Sequence, residues 1–297
     1  MILHRRMPSR CLCFLIFALI LLPASAEIPV GPGRVVLGEA DSIEVFTYRP
    51  PTYTNGPLLI IFHGVQRNAE DYRNFAITMA ERFGAIVAAP LFDRERFPYN
   101  DYQQGGILHE GVVRPREDWT FTRFGALIPQ LRALTGDPAR PFYIVGHSAG
   151  GQFVARLAGL VGTLGAERLI AANPGSHLFP VRDAEYGYGF GGLPAELSDD
   201  AALQRFLAAP LTLYLGTGDN DPEHRSLDRS PPALAQGASR YDRGMACFRT
   251  AQALAQSKGW TFNWRLVTTP GVDHNAARMF AVPEAADALF GAGQVQR

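Results

Sequence analysis

The chain has 297 residues, of which 47% are hydrophobic and 19% charged, with 28 basic and 28 acidic side chains. That much apolar material excludes a disordered, collagen-like or coiled-coil chain. The charge balance lacks the basic excess of a general nucleic-acid binder, so no nucleic-acid partner is expected.

Residues 1–26 read as an export signal. Arg5, Arg6 and Arg10 precede an unbroken apolar run of 12 residues, Cys11 to Leu22; Pro23 ends the run and Ala24-Ser25-Ala26 supplies the small-x-small cleavage pattern. The run is short of the roughly 20 apolar residues a membrane span requires. Cleavage after Ala26 implies a periplasmic or secreted protein, 27–297, without stable membrane association. It also removes two of the three cysteines, leaving Cys247 with no disulfide partner and the core as the source of stability.

From residue 27 onward, strand-like runs are expected at 34–37, 42–48, 58–63, 85–89, 142–146, 168–172, 211–216 and 262–268. Helix-like stretches are expected at 69–83, 119–134, 149–160, 241–258 and 275–289. The runs 58–62 and 211–215 are almost continuously apolar, as in strands covered on both faces. Alternating β and α elements make a mostly parallel eight-stranded sheet with helices on both faces the expected α/β architecture. No helix separates the first two strands, so they start antiparallel. Two stretches, 92–118 and 173–210, fit no regular element. The second holds Phe179, Tyr186, Tyr188 and Phe190 among glycines and reads as a lid-like insertion, with Tyr186 and Tyr188 as candidate substrate-binding residues.

Gly146-His147-Ser148-Ala149-Gly150 matches G-x-S-x-G between a strand and a helix. A serine on so tight a turn is strained, needs small neighbours, and projects its hydroxyl at the C-terminal edge of the sheet. Such a hydroxyl requires a base. His274, after the last strand, is the candidate. An acid should orient the imidazole and stabilise its charged form; Asp219, after the strand 211–216, is the choice, with Asp221 as the alternative. The order Ser148, Asp219, His274 is that of α/β-hydrolases. Two backbone donors are expected for an oxyanion, the N–H groups of Ala149 and Val65. His63 and His147 are expected to be structural. Asp219, Asp221, Glu223, His224 and Asp228 lack the spacing of a calcium loop, so neither metal nor cofactor is expected.

The stretches LLIIFHGVQRNAEDY (58–72), GHSAGG (146–151), LGTGDNDP (215–222) and PGVDHNAARMF (270–280) resemble the α/β-hydrolase superfamily. More narrowly they resemble its exported esterases grouped with polyhydroxybutyrate depolymerases and feruloyl or acetylxylan esterases. The resemblance implies an α/β-hydrolase fold, Ser148 as nucleophile, Asp219 as acid, His274 as base, a donor after His63-Gly64, and a small or polymeric ester as substrate. Two alternatives stand beside the esterase: an exported peptidase or amidase using the same residues, and a binding module on the same scaffold.

Overall fold

The computed structural model describes residues 27–38 and 41–292. The leader expected over 1–26 lies outside the described residues. Among the described residues ten strands form: β1 (Gly31–Leu37), β2 (Ile43–Arg49), β3 (Leu58–Phe62), β4 (Ile86–Pro90), β5 (Leu108–His109), β6 (Val112–Val113), β7 (Phe142–His147), β8 (Arg168–Ala172), β9 (Leu211–Gly216) and β10 (Arg265–Thr269). Eight of them build one sheet in the order β1-β2-β4-β3-β7-β8-β9-β10, and β5 with β6 forms a separate ribbon. β2 is antiparallel to β1 and β4, while β4, β3, β7, β8, β9 and β10 run parallel.

The continuous apolar runs have the burial their composition implies. Leu58, Ile60 and Phe62 enter one core layer, whereas Leu59 and Ile61 enter the other. Strand side chains alternate between faces, so a strand covered on both sides is apolar at every position. Each fully buried Leu or Ile here contributes about 1.5–3 kcal/mol. One layer is roofed by helices Thr120–Ala133, Ala149–Leu160 and Arg240–Lys258 through Phe124, Phe153, Leu157 and Ala251. The opposite layer is closed by Met79, Met279, Phe280 and Leu289.

Several expected elements change at their edges. The helix expected over 69–83 divides at Ala76 into Ala69–Phe75 and Ile77–Phe83. That expected over 275–289 divides before Pro283, which cannot donate to a helical carbonyl, into Ala276–Ala281 and Glu284–Phe290. The last strand begins at Arg265 rather than 262. The two stretches expected to be irregular are partly regular. The first contains helix Tyr99–Gln103, the ribbon, and a 3-10 turn at Arg116–Asp118. The second contains Ala195–Ser198 and Asp200–Ala208, the latter capped by the Asp199 side chain accepting from the Ala202 N–H at 2.8 Å.

The strand order places the chemistry. From β3 the chain moves outward to β4, and from β7 it moves the opposite way through β8, β9 and β10. The order reverses between β3 and β7, and the crevice outside the carboxyl ends of such strands is where α/β sheets bind ligands. Val65, Ser148, Asp219 and His274 follow β3, β7, β9 and β10 at that edge.

Candidate active site

Ser148 stands between β7 and helix Ala149–Leu160 with φ 57° and ψ −116°, a conformation that side-chain-bearing residues rarely adopt. It is held by its N–H donating to the Ala172 carbonyl at 2.9 Å and its carbonyl accepting from Gln152 at 3.0 Å. The flanking glycines follow from sterics. A Cβ on Gly146 would lie 2.1 Å from the Gly150 carbonyl oxygen, and one on Gly150 would lie 2.4 Å from that of Phe62. The turn closes only without those side chains.

The three side chains singled out from the sequence meet. His274 Nδ1 lies 2.7 Å from Asp219 Oδ2, and His274 Nε2 lies 2.9 Å from Ser148 Oγ. The ionised carboxylate can only accept, so Nδ1 donates to it, leaving Nε2 as acceptor for the serine hydroxyl. Asp219 is 4% exposed. Asp221, the alternative acid, is exposed and accepts from the Glu223 N–H at 2.8 Å; the geometry brings Asp219, not Asp221, to the imidazole.

Two residues missed in the sequence hold this arrangement. Buried Arg240 donates from Nη1 to Asp219 Oδ1 at 3.1 Å. Buried Asn173 accepts from the Gly216 N–H at 2.8 Å and donates to the Asp273 carbonyl at 3.2 Å, so its amide ties the loop bearing Asp219 to the loop bearing His274. A local signal for Arg240 exists. Ser239 and Asp242 form a capping box that starts the helix at 240, one residue before the expected start. An arginine there opposes the helix dipole unless an acid faces it.

His63 and His147, expected to be structural, are both buried. His63 accepts the Phe92 N–H at Nε2, 3.1 Å, and so donates from Nδ1 to the Gly64 carbonyl, 3.0 Å; burial pushes its pKa down to about 3. His147 is buried beside Tyr72 (3.0 Å) and against the His274 ring (4.7 Å between centroids); burial, then the charges of His274 and Arg240, hold it well below the ordinary histidine value.

Val65 and Ala149 both border the crevice beside Ser148, and neither N–H is engaged by a backbone turn or cap among the described residues. The crevice has two lobes. One of about 310 Å³ is lined by Gln66, Asn68, Phe75, His224 and Asn275; the other, of about 480 Å³, by Tyr99, Gln103, Gln152, Tyr188 and Asp228. Ser148, Val65, Arg225 and Ser226 border both.

The lid reading of 173–210 needs correction. Tyr186 is 7% exposed, belongs to the core, and donates its hydroxyl to the Gln104 carbonyl at 2.6 Å; it lines neither lobe. Phe190 packs on Phe206 and Phe179 on the same core layer. The stretch is a strap packed on helix Ala149–Leu160, with Phe190 between Gly159 of that helix and Phe206. Of the two tyrosines only Tyr188 reaches the crevice, its hydroxyl donating to Asp228 Oδ2 at 2.8 Å. The acids weighed as a calcium cluster are likewise separated. Asp228 faces Tyr188, Glu223 pairs with Arg229, and among the described residues no group of three His, Cys, Asp or Glu could hold a metal.

A parallel sheet with a strained serine elbow, and an acid and a histidine after later strands, defines the α/β-hydrolase class. Among solved structures, the chain is similar to poly(aspartic acid) hydrolase-1 from Sphingomonas sp. KT-1, with 34% identity over 87% of this chain and 98% of that one, at a TM-score of 0.81. It is similar to LpqC, a poly(3-hydroxybutyrate) depolymerase from Bordetella parapertussis, with 31% identity, 89% and 94% coverage and a TM-score of 0.80. A thermostable esterase, 13% identical with a TM-score of 0.54 over 87% of this chain and 62% of that one, shares the fold. No family model and no curated protein matches the chain. The chain belongs to the α/β-hydrolase superfamily, in its esterase and depolymerase group, and is a hydrolase.

Proposed function

We propose that the protein is an exported serine esterase that cleaves carboxylic esters through Ser148, His274 and Asp219. Ser148 Oγ attacks the ester carbonyl while His274 Nε2 takes its proton, and Asp219 stabilises the imidazolium so formed. The oxyanion is received by the N–H groups of Ala149 and Val65. His274 returns the proton to the leaving alcohol, then activates water to release the acid from the acyl-enzyme. What carries this reading is the unbroken contact series Ser148–His274–Asp219 at 2.9 and 2.7 Å at the switch point of the sheet. Export rests on the 1–26 pattern; among the described residues no helix is long and apolar enough to cross a membrane.

One observation favours an amidase as the second reading. Exposed Arg225 borders both lobes and has no carboxylate partner among the described ion pairs, so a substrate carboxylate would meet it beside Ser148. The similar Sphingomonas protein is a poly(aspartic acid) hydrolase. Comparing kcat/KM for a short p-nitrophenyl ester, its matched anilide, oligo(3-hydroxybutyrate) and oligo-aspartate separates the two. The esterase reading expects the esters to dominate; faster cleavage of oligo-aspartate than of either ester overturns it in favour of the amidase. N-terminal sequencing of protein recovered from the periplasm or medium tests export, with Glu27 as the expected first residue.

A further inference from the structure

We propose that Arg240 is a positioning residue of the hydrolytic site, which fixes the Asp219 carboxylate toward His274 and locks the loop that walls both lobes to the same carboxylate. The inference rests on the assignment of Ser148, Asp219 and His274 above.

Arg240 is 1% exposed and occupies the first turn of helix Arg240–Lys258, where the helix dipole disfavours a cation. Its guanidinium makes contacts in two directions. Nη1 donates to Asp219 Oδ1 at 3.1 Å; Nη2 donates to Ser226 Oγ at 2.9 Å and His224 Nδ1 at 3.3 Å. With Oδ1 held, the remaining oxygen, Oδ2, is the one presented to His274 at 2.7 Å. The adjoining backbone contributes as well, since the Tyr241 N–H donates to the Asp219 carbonyl at 3.1 Å. His224 and Ser226 flank Arg225, so the same side chain fixes where Arg225 stands in the crevice. A planar guanidinium can serve these partners from one plane, whereas an ammonium cannot reproduce the fork.

Arg240 also supplies the permanent charge at the base. The groups facing His274 are Ser148, Asp219, the rings of His147 at 4.7 Å and His224 at 5.5 Å, and its neighbour Asp273, which pairs with Arg278. Burial and Arg240 itself both hold the two histidines below their ordinary pKa. Arg240, on the far side of Asp219, acts on His274 only through that carboxylate and without touching it.

The test is the separation of kcat from KM on a short ester for Arg240→Gln and Arg240→Lys, with active sites counted by fluorophosphonate labelling. Arg240→Gln should lower kcat per labelled site on the order of 100-fold with KM little changed, the scale of a misplaced catalytic group. Arg240→Lys, which keeps the charge but not the planar fork, should lower kcat per labelled site tenfold or more, on the order of a displaced catalytic group. Wild-type kcat per labelled site in Arg240→Gln, with activity falling only as the labelled fraction falls, assigns Arg240 to folding and overturns the proposal. Should Arg240→Gln not fold, Arg240→Lys decides alone, and wild-type kcat per labelled site would refute positioning. If wild-type protein is not labelled at Ser148, the site assignment itself has failed, which is a separate result.

Discussion

Buried neutral histidines should make this fold labile to mild acid. Burial lowers the pKa of both His63 and His177 from 6.5 to about 3. A histidine depressed in the folded state is protonated more readily when unfolded, so its contribution to stability is complete above about pH 6.5 and declines as pH falls toward 3. Between pH 8 and pH 5 each of the two should lose about 2 kcal/mol, about 4 kcal/mol together, a large part of the roughly 5–15 kcal/mol typical of a folded domain. His147 is lowered too and acts in the same direction. His177 allows a clean test. Among the described residues neither of its ring nitrogens has a hydrogen-bond partner, while its backbone N–H and carbonyl are held by the Gln236 amide at 2.9 and 2.6 Å. His177→Leu therefore removes the titrating ring and keeps that anchor. Urea unfolding at pH 8 and pH 5 should show the mutant losing about 2 kcal/mol less than wild type across this interval. Equal losses in the two proteins would refute the reasoning.

Asp219→Asn should lower kcat on the order of 10⁴-fold by holding the imidazole in the wrong tautomer, while Asp221→Asn, altering an exposed turn, should change it little; steady-state kinetics on a short ester distinguish them. Tyr188→Ala should alter the kcat/KM ratio between short and bulky esters by roughly 10- to 200-fold with little change in melting temperature, whereas Tyr186→Ala should cost about 3–5 kcal/mol of stability and leave that ratio near wild type. Arg225→Gln should reduce kcat/KM several-fold for an ester bearing a distal carboxylate and leave a neutral analogue of equal length unchanged, about the scale of an exposed ion pair.

The sheet was legible because its strands are buried on both faces and its chemistry sits in short turns. A run such as Leu58–Phe62 has one plausible environment, and the glycines around Ser148 have a steric cause that five letters carry. The divided helices were less so. Continuous apolar spacing crosses Ala76, and alanines stand on both sides of Pro283, where the second helix divides. The strap was misread because aromatic rings among glycines suit a pocket wall and a packed loop equally well. Only tertiary contacts, such as Phe190 on Phe206, separate the two. Arg240 and Asn173 were invisible for a different reason. Each acts on a residue distant in sequence, Arg240 on Asp219 and Asn173 on Gly216 and Asp273; the capping box marks where Arg240 sits, but its partner is brought in by sheet order.

The central claim is that Ser148 is a nucleophile activated by His274, and the most direct measurement is intact-protein mass spectrometry after incubation with a fluorophosphonate, followed by peptide mapping. The account predicts one adduct per chain, located on Ser148, with neither adduct nor ester hydrolysis in a folded Ser148→Ala protein. An unlabelled wild type, an adduct on another residue, or wild-type turnover by Ser148→Ala would contradict it.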